Sequence, residues 1–408
     1  MSGSGRDGGR MQQVDVIIVG GGMVGLVLAC ALRDRGLQVV LVERAESEAR
    51  LSLGRDCRVS AIVAGTAEIL RGIGVWPRVD DGAGAIRGMR VWDDQRFGSI
   101  RFEAEEVGLD VLGYILENSR LQSAMREVLT EDASVEVCCP AEIESVAWHA
   151  DAVHVTLDDG RMLSASLVVG ADGGRSWLRR EGGVGICEHD LGQRAIVATV
   201  RSRLSNRQTA FQRFLPTGPL AFLPLSAQLS SIVWSAEKRE SERLMALDDT
   251  GFMEALDLAF GPVLGGVEAV GERAAFPLRS QLARRMVHRR MALIGDAAHV
   301  IHPLAGLGVN LGIRDAMVLA QEIVDAHRFR EDIGDMSVLE RFARARLPDN
   351  LSTLAGMELF HHLFTSRVPG VGLIRYAGML MVGNSGPVKR MLMRTGMGLS
   401  LPVPGRIG

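Results

Sequence analysis

The stretch Val14–Arg44, VDVIIVGGGMVGLVLACALRDRGLQVVLVER, constrains this chain more than any other. Val16 to Val19 spell a buried strand, and Gly20, Gly22 and Gly25 follow with the spacing G-x-G-x-x-G. A helical pattern then runs to about Arg35, and a second apolar strand, Val39 to Val42, ends at Glu43. Each part has a physical task in holding a dinucleotide. Gly20 permits a tight turn, Gly22 lets backbone N–H groups approach a pyrophosphate, and Gly25 lets helix and strand pack closely. The helix N-terminus adds unpaired donors and partial positive charge. Glu43, 18 residues beyond Gly25, stands where an acid accepts a hydrogen bond from an adenosine ribose. An acid there disfavours a 2′-phosphate, so FAD or NAD fits better than NADP.

The remaining totals narrow the class. A chain of 408 residues implies two or three lobes with ample core. A hydrophobic share of 47% against 23% charged belongs to a folded protein. The formal net charge of −3 gives no reason to expect nucleic acid as a partner. Five cysteines (Cys30, Cys57, Cys138, Cys139, Cys187) are odd in number and lack C-x-x-C spacing, which points to a reducing, cytoplasmic setting. Residues 1–13 read as a flexible lead without a signal-peptide core. Val16–Leu32 is apolar, but its three consecutive glycines and flanking strands make it strand–turn–helix rather than a membrane span.

The fold expected is α/β: a discontinuous Rossmann-like nucleotide domain (14–75, 110–185 and 281–330) interrupted by a β-rich substrate domain (76–109 and 186–280). A helical C-terminal region, 331–408, follows. Within this plan the pattern gives a helix in 58–76 that ends near Gly74, antiparallel strands over 86–112 and a helix over 121–129. Strands follow near 135–138, 143–148, 153–157 and 167–171, with a hairpin turn at Asp158-Asp159-Gly160. Residues 195–235 read as strands, 249–260 as helix, 291–294 as strand and 309–324 as helix.

Two more motifs decide the cofactor. LVVGADGGRS puts Asp172 and Gly173 at a strand end, with Arg175 and Ser176 after them. ALIGDAAHVIHPLAGLGVNLG puts Asp296 after a strand, then Pro303, Gly306, Gly308 and Asn310 leading into a helix. A strand-end carboxylate accepts hydrogen bonds from ribityl hydroxyls, which a nicotinamide cofactor lacks. Glycines let backbone amides reach a ring edge, and the following helix N-terminus favours negative charge on a reduced flavin. FAD is the expected cofactor.

These three blocks resemble the class A flavoprotein monooxygenases of the para-hydroxybenzoate hydroxylase fold. YILENSRLQSAM (114–125), FQRFLPTGPLAFLPL (211–225) and PLAGLGVNLGIRDA (303–316) are similar to the ubiquinone-biosynthesis hydroxylases, nearly from Val14 to the tail. The resemblance implies FAD held by Gly20, Gly22, Gly25, Glu43, Arg58, Asn118, Asp172 and Asp296, with Leu121 or Arg120 beside Asn118. Pro303, Gly306, Gly308 and Asn310 would surround the isoalloxazine, and Leu307 stands where relatives often have glutamine. It implies NAD(P)H as a transient electron donor and O₂ activated as a flavin C4a-hydroperoxide. The substrate would be a polyprenylphenol, in an apolar pocket walled by Phe211, Phe214, Phe222 and Trp234. No side-chain nucleophile is expected.

Competing readings sit beside these. Asp172 and Asp296 also suit plain turn formation, and Arg58 a solvated surface. His299 and His302 lack the acidic or cysteine partners of a metal site, so none is expected. The alternative enzyme is a hydroxylase of a small aromatic acid, for which two tyrosines offer little clamp. The non-enzyme alternative is a flavin-binding scaffold within a ubiquinone-biosynthesis protein complex. Leu359–Leu401, rich in Met, Leu and Val with Arg367, Arg375, Lys389, Arg390 and Arg394, packs on the core by default. It also suits a partner protein or peripheral contact at the inner face of a membrane.

Overall fold

The computed structural model of the chain describes residues 11–45, 51–52, 55–56, 58–93, 99–301, 308–365, 381 and 385–399. Five parallel strands form the heart of its first sheet, in the order Val135–Cys138, Val39–Val42, Gln12–Val19, Met162–Gly170, Met291–Leu293. Val16 pairs with both Val39 and Leu167, which brings Val19, Val42 and Gly170 to one edge of the sheet. Antiparallel strands Val153–Leu157 and Ile143–Trp148 extend the N-terminal half of Met162–Gly170, turning at Gly160 with φ +86°.

Strands buried on both faces read as unbroken apolar runs, and Val39–Val42 is buried at every residue. The helix Met23–Leu32 is buried from Gly25 to Leu32 because the sheet covers one side and the helices Asn118–Thr130 and Gly308–Arg328 cover others. Leu26, Leu28 and Leu32 are each fully buried, stabilising the fold by roughly 1.5–3 kcal/mol apiece. This sandwiching explains an apolar character that a hydropathy window mistakes for a span. Among the described residues no helix is long and apolar enough to cross a membrane.

The second sheet has nine strands, ordered His299–Val300, Ala274–Ala283, Ile186–Ser202, Leu229–Glu237, Gly218–Pro224, Thr209–Leu215, Gly88–Asp93, Ser99–Glu103, with Val267–Val270 pairing Ile186–Ser202. Its one parallel pair joins Thr209–Leu215 to Gly88–Asp93. His299 pairs with Leu282, so the segment that leaves the first sheet at Leu293 enters the second six residues later. The helices Lys238–Ala246 and Asp249–Phe260 cover one face of this sheet over Phe211, Phe222 and Trp234. Phe222 stacks on Phe260 at 3.9 Å between ring centroids, and Trp234 meets Phe252 at 6.2 Å. These aromatics are core, not pocket wall. Phe214 is buried with Val91 in a separate small cluster.

Residues Val59–Val63 form a strand rather than the first turns of a helix, pairing with Gly113–Glu117, which also pairs with Gly84–Ile86. Val59, Ile62 and Val63 are β-branched and stiff at χ1, and the helical pattern begins only at Ala64.

A helix spans Met336–Thr365 and another Gly386–Gly396. The latter docks on the body of the protein: Lys389 Nζ lies 2.6 Å from Glu106, and Gly65 N donates to Met397 O at 3.0 Å. Arg314 donates to Gly398 O, and a Cβ on Gly65 would come within 2.8 Å of that same carbonyl oxygen. The lead up to Arg10, Cys57, His302, Arg367 and Arg375 lie outside the described residues.

Candidate active site

The three glycine-bearing blocks meet at the ends of neighbouring parallel strands. Gly20 N donates to Val42 O at 2.8 Å, Ala171 N to Val19 O at 2.8 Å, and Ile294 N to Gly170 O at 3.0 Å. Gly20 has φ +109°, and a Cβ there would lie 2.5 Å from Ala171 O. A Cβ on Gly25 would fall 2.0 Å from Gly20 O, so helix and turn touch through bare backbone. Val24 is wedged between Gly295 and Gly312, whose added Cβ atoms would lie 3.0 and 2.7 Å from its side chain. Gly22 differs from all of these. Nothing lies within 4 Å of its Cβ position, and the helix it opens has neither a side-chain cap nor an acid in its first turn. The first amides of that helix therefore face open space, as an incoming pyrophosphate requires.

Glu43 lies across the turn. Its carboxylate accepts from Gly21 N at 2.5 Å and from Ala45 N at 3.1 Å. Beside the helix start, Ser60 Oγ donates to Asn118 Oδ1 at 2.7 Å, and Asn118 N donates to Arg58 O at 3.0 Å. Arg58 and Asn118 are thus neighbours although sixty positions apart. Asp56, fully buried, fixes both segments by accepting from Arg58 N at 3.0 Å and Ser119 N at 3.2 Å. Leu121 is buried in the core, while Arg120 pairs with Asp81.

Asp172 caps a helix. Its Oδ2 accepts from Trp177 N at 2.7 Å and Leu178 N at 3.1 Å, while its buried Oδ1 has no partner among the described residues. Arg179, on that same helix Trp177–Glu181, donates to Ala297 O at 2.8 Å and Gly174 O at 2.9 Å, stitching the second block to the third. Burial pulls the guanidinium below its ordinary pKa, and Asp172 opposes that.

Asp296, just after the strand Met291–Leu293, presents its side chain to solvent with protein crowded round its flanks. That crowding pushes its carboxyl above the ordinary aspartate range, and His299 partly offsets the shift. Beneath it lies a sealed ion network. His299 Nε2 sits 2.5 Å from Asp315 Oδ2, and Arg346 Nε donates to Asp315 Oδ1 at 2.8 Å. Asp315 also accepts from Gly295 N at 3.1 Å, so the network fixes the backbone next to Asp296. His299 is thus held at its Nε2 by a carboxylate.

Asn310 spends its carboxamide on the strand Val59–Val63, donating to Ala61 O at 2.7 Å and accepting from Val63 N at 3.0 Å. It ties the helix Gly308–Arg328 to that strand, and nothing lies within 4 Å of the Cβ position of Gly308 at its start. Pro303, Gly306 and Leu307 lie outside the described residues. Sequence reasoning missed Asp56, Arg179, Asp315 and Arg346. Only Asp315 left a signal, as a charge on the apolar stripe of a helix.

The donor set fits FAD: an uncapped glycine-led helix start for the pyrophosphate, an acid for the adenosine ribose, and an accessible strand-end carboxylate for the ribityl chain. A family described as FAD binding domain matches residues 13–348. The ubiquinone hydroxylase UbiL of Rhodospirillum rubrum is 40% identical over 94% of this chain and 89% of its own. The 3-demethoxyubiquinol 3-hydroxylase of Escherichia coli is 33% identical over 95% of this chain and 99% of its own. Among solved structures, p-nitrophenol 4-monooxygenase PnpA from Pseudomonas putida DLL-E4 superposes with a TM-score of 0.79 at 20% identity, covering 96% of this chain and all of that one. That last likeness bears on the fold alone.

Proposed function

The chain belongs to the FAD binding domain family, and within it we propose a monooxygenase that hydroxylates the aromatic ring of a polyprenylated phenol in ubiquinone biosynthesis. What carries the reading is the full-length likeness, 40% over 388 residues, to a protein called a ubiquinone hydroxylase. The convergence of the three glycine blocks supports the cofactor.

When bound, FAD accepts hydride from NAD(P)H and activates O₂ for transfer of one oxygen atom to the ring, the other leaving as water. This chain's residues bind and orient. Gly20, Gly22, Gly25 and the start of the helix Met23–Leu32 would hold the pyrophosphate. Glu43 would meet the adenosine ribose, Arg58 and Asn118 the linker beside the helix start, and Asp296 the ribityl hydroxyls. Asp172 would serve chiefly by ordering the helix that carries Arg179. The start of the helix at Gly308 would offer partial positive charge to the flavin ring. A lipid-soluble substrate is consistent with peripheral contact at a membrane face, and with work inside a ubiquinone-biosynthesis complex.

The test is direct. Purified protein should be yellow, oxidise NAD(P)H faster when a prenylphenol is added, and give a product heavier by one oxygen. Stimulation by a soluble hydroxybenzoate but not by a prenylphenol would reassign the substrate. Colourless protein that does not take up FAD would end the reading.

A further inference from the structure

The segment Leu282–Arg289 and the helix Met336–Thr365 line an open pocket of about 650 Å³, none of whose lining belongs to the three glycine blocks. Its floor is apolar, formed by Leu282, Met286, Val287 and Ala343. Its rim is basic: Arg284, Arg285, Arg289 and Arg344 are all exposed there. The one lining carboxylate, Glu340, lies 4.0 Å from Arg344. Among the described residues Arg284, Arg285 and Arg289 have no ion-pair partner. Met336, Leu347 and Leu351, at 36, 48 and 46% exposure, carry the apolar character out of the cavity along one face of the helix.

The geometry points to a docking site for an anionic phospholipid, with the phosphate gripped by the arginine rim and an acyl chain laid on the apolar floor. Three exposed guanidiniums on one rim, without an ion-pair partner among the described residues, offer an anion a positively charged seat. Their planar forks match phosphate oxygens two at a time. Inorganic phosphate would leave the floor uncovered, whereas a hydrocarbon chain joined to a phosphate satisfies both parts. The volume lies in the range of small-molecule sites. A lipid surface here would bring the enzyme to a substrate dissolved in the bilayer; that advantage rests on the hydroxylase reading, and the lipid site itself does not.

Vesicle flotation of the full-length protein tests the site, using phosphatidylcholine vesicles with and without phosphatidylglycerol. Binding should require phosphatidylglycerol and weaken with added salt. Arg285→Gln/Arg289→Gln should partition about 30-fold less strongly, at roughly fivefold per basic side chain near an anionic surface. Arg101→Gln/Arg328→Gln removes the same charge elsewhere on the surface and should bind as the unaltered protein does. Flavin content should be unchanged in both pairs. Absence of binding to phosphatidylglycerol vesicles overturns the proposal, as does equal loss in both pairs or undiminished binding of Arg285→Gln/Arg289→Gln. Flotation is read independently of colour and turnover, so failure of this site and failure of the hydroxylase reading are separately visible.

Discussion

His299 Nε2 and Asp315 Oδ2 lie 2.5 Å apart with both side chains sealed from solvent, directly under the backbone that presents Asp296. Burial alone would push the Asp315 carboxyl up. His299 and Arg346 outweigh it and hold the group below the ordinary aspartate value. An acid with a depressed folded pKa contributes stability fully above its unfolded value, near 3.9, and loses it as pH falls through the lower folded one. Stability should therefore fall away below about pH 4, and this contribution to the fall should be absent from Asp315→Asn.

At neutral pH, Asp315→Asn leaves Arg346 buried with a weakened partner. Breaking a buried ion pair from one side costs about 3–5 kcal/mol. Arg346 keeps Asp349 at 2.5 Å, so the expected loss lies at the lower end. Urea midpoints at neutral pH, with the slope unchanged, would measure it. A variant as stable as the parent would mean that the pair adds nothing.

Gly22 and Gly25 should respond in opposite ways. Gly22→Ala puts a methyl group where no protein atom lies within 4 Å, on backbone with φ −72° and ψ 179° that any residue adopts. Its fold should lose about 1 kcal/mol or less, the difference between helix caps, while FAD retention drops sharply. Gly25→Ala drives a methyl to 2.0 Å from Gly20 O, where only backbone can move. That change should cost about 3 kcal/mol or more and reduce soluble yield. Thermal melts of the flavin-free proteins separate the two effects; equal melting losses would refute the distinction.

Asp296→Ala separates binding from folding in another way. Its carboxyl titrates above the ordinary range because the protein crowded round it disfavours the charged form. A raised acid costs stability once ionised: the cost is full above the folded pKa and fades as pH falls from there to the unfolded value. The flavin-free variant should therefore melt at or above the parent's temperature at neutral pH while losing its yellow colour. For the parent, flavin should be released on moderate acidification, as the carboxylate loses the charge that draws ribityl hydroxyls. A colourless variant with a lower melting temperature would make Asp296 structural.

The nucleotide half was legible because its signals are local. Strand, glycines, helix and acid follow within thirty residues, and their spacing reports their geometry. Two failures have different causes. Val59–Val63 carries Ala61 and Ile62 in positions that continue the helix after it, and only pairing with Gly113–Glu117 settles it as strand. Phe211, Phe222 and Trp234 stand on three different strands whose apolar pattern is the same against a pocket or a helix; nothing in it says that Phe252 and Phe260, from a later helix, fill the space before them. Asp56, Arg179 and Arg346 act across gaps of 31 to 118 residues, on partners that no spacing rule connects.

Arg179 is the sharpest case of such a hidden link. It hydrogen-bonds the carbonyls of Gly174 and Ala297 from a position sealed in the interior, holding the second glycine block against the third. Arg179→Met keeps the length and apolar stem but leaves both carbonyls short of a charged donor. Unmade buried hydrogen bonds cost about 1–3 kcal/mol, so the melting temperature should drop by several degrees. Because Ala297 adjoins Asp296, the same change should loosen the ribityl carboxylate, weakening FAD binding more than the stability loss alone accounts for. Arg179→Lys, with its single point donor, should recover part of the stability but little of the affinity, since one ammonium cannot span two carbonyls as the guanidinium fork does. Flavin titration followed by fluorescence quenching, set beside thermal melts of the same two variants, reads the two quantities separately. Affinity that tracks stability in both would show Arg179 to be a packing residue with no hold on the site.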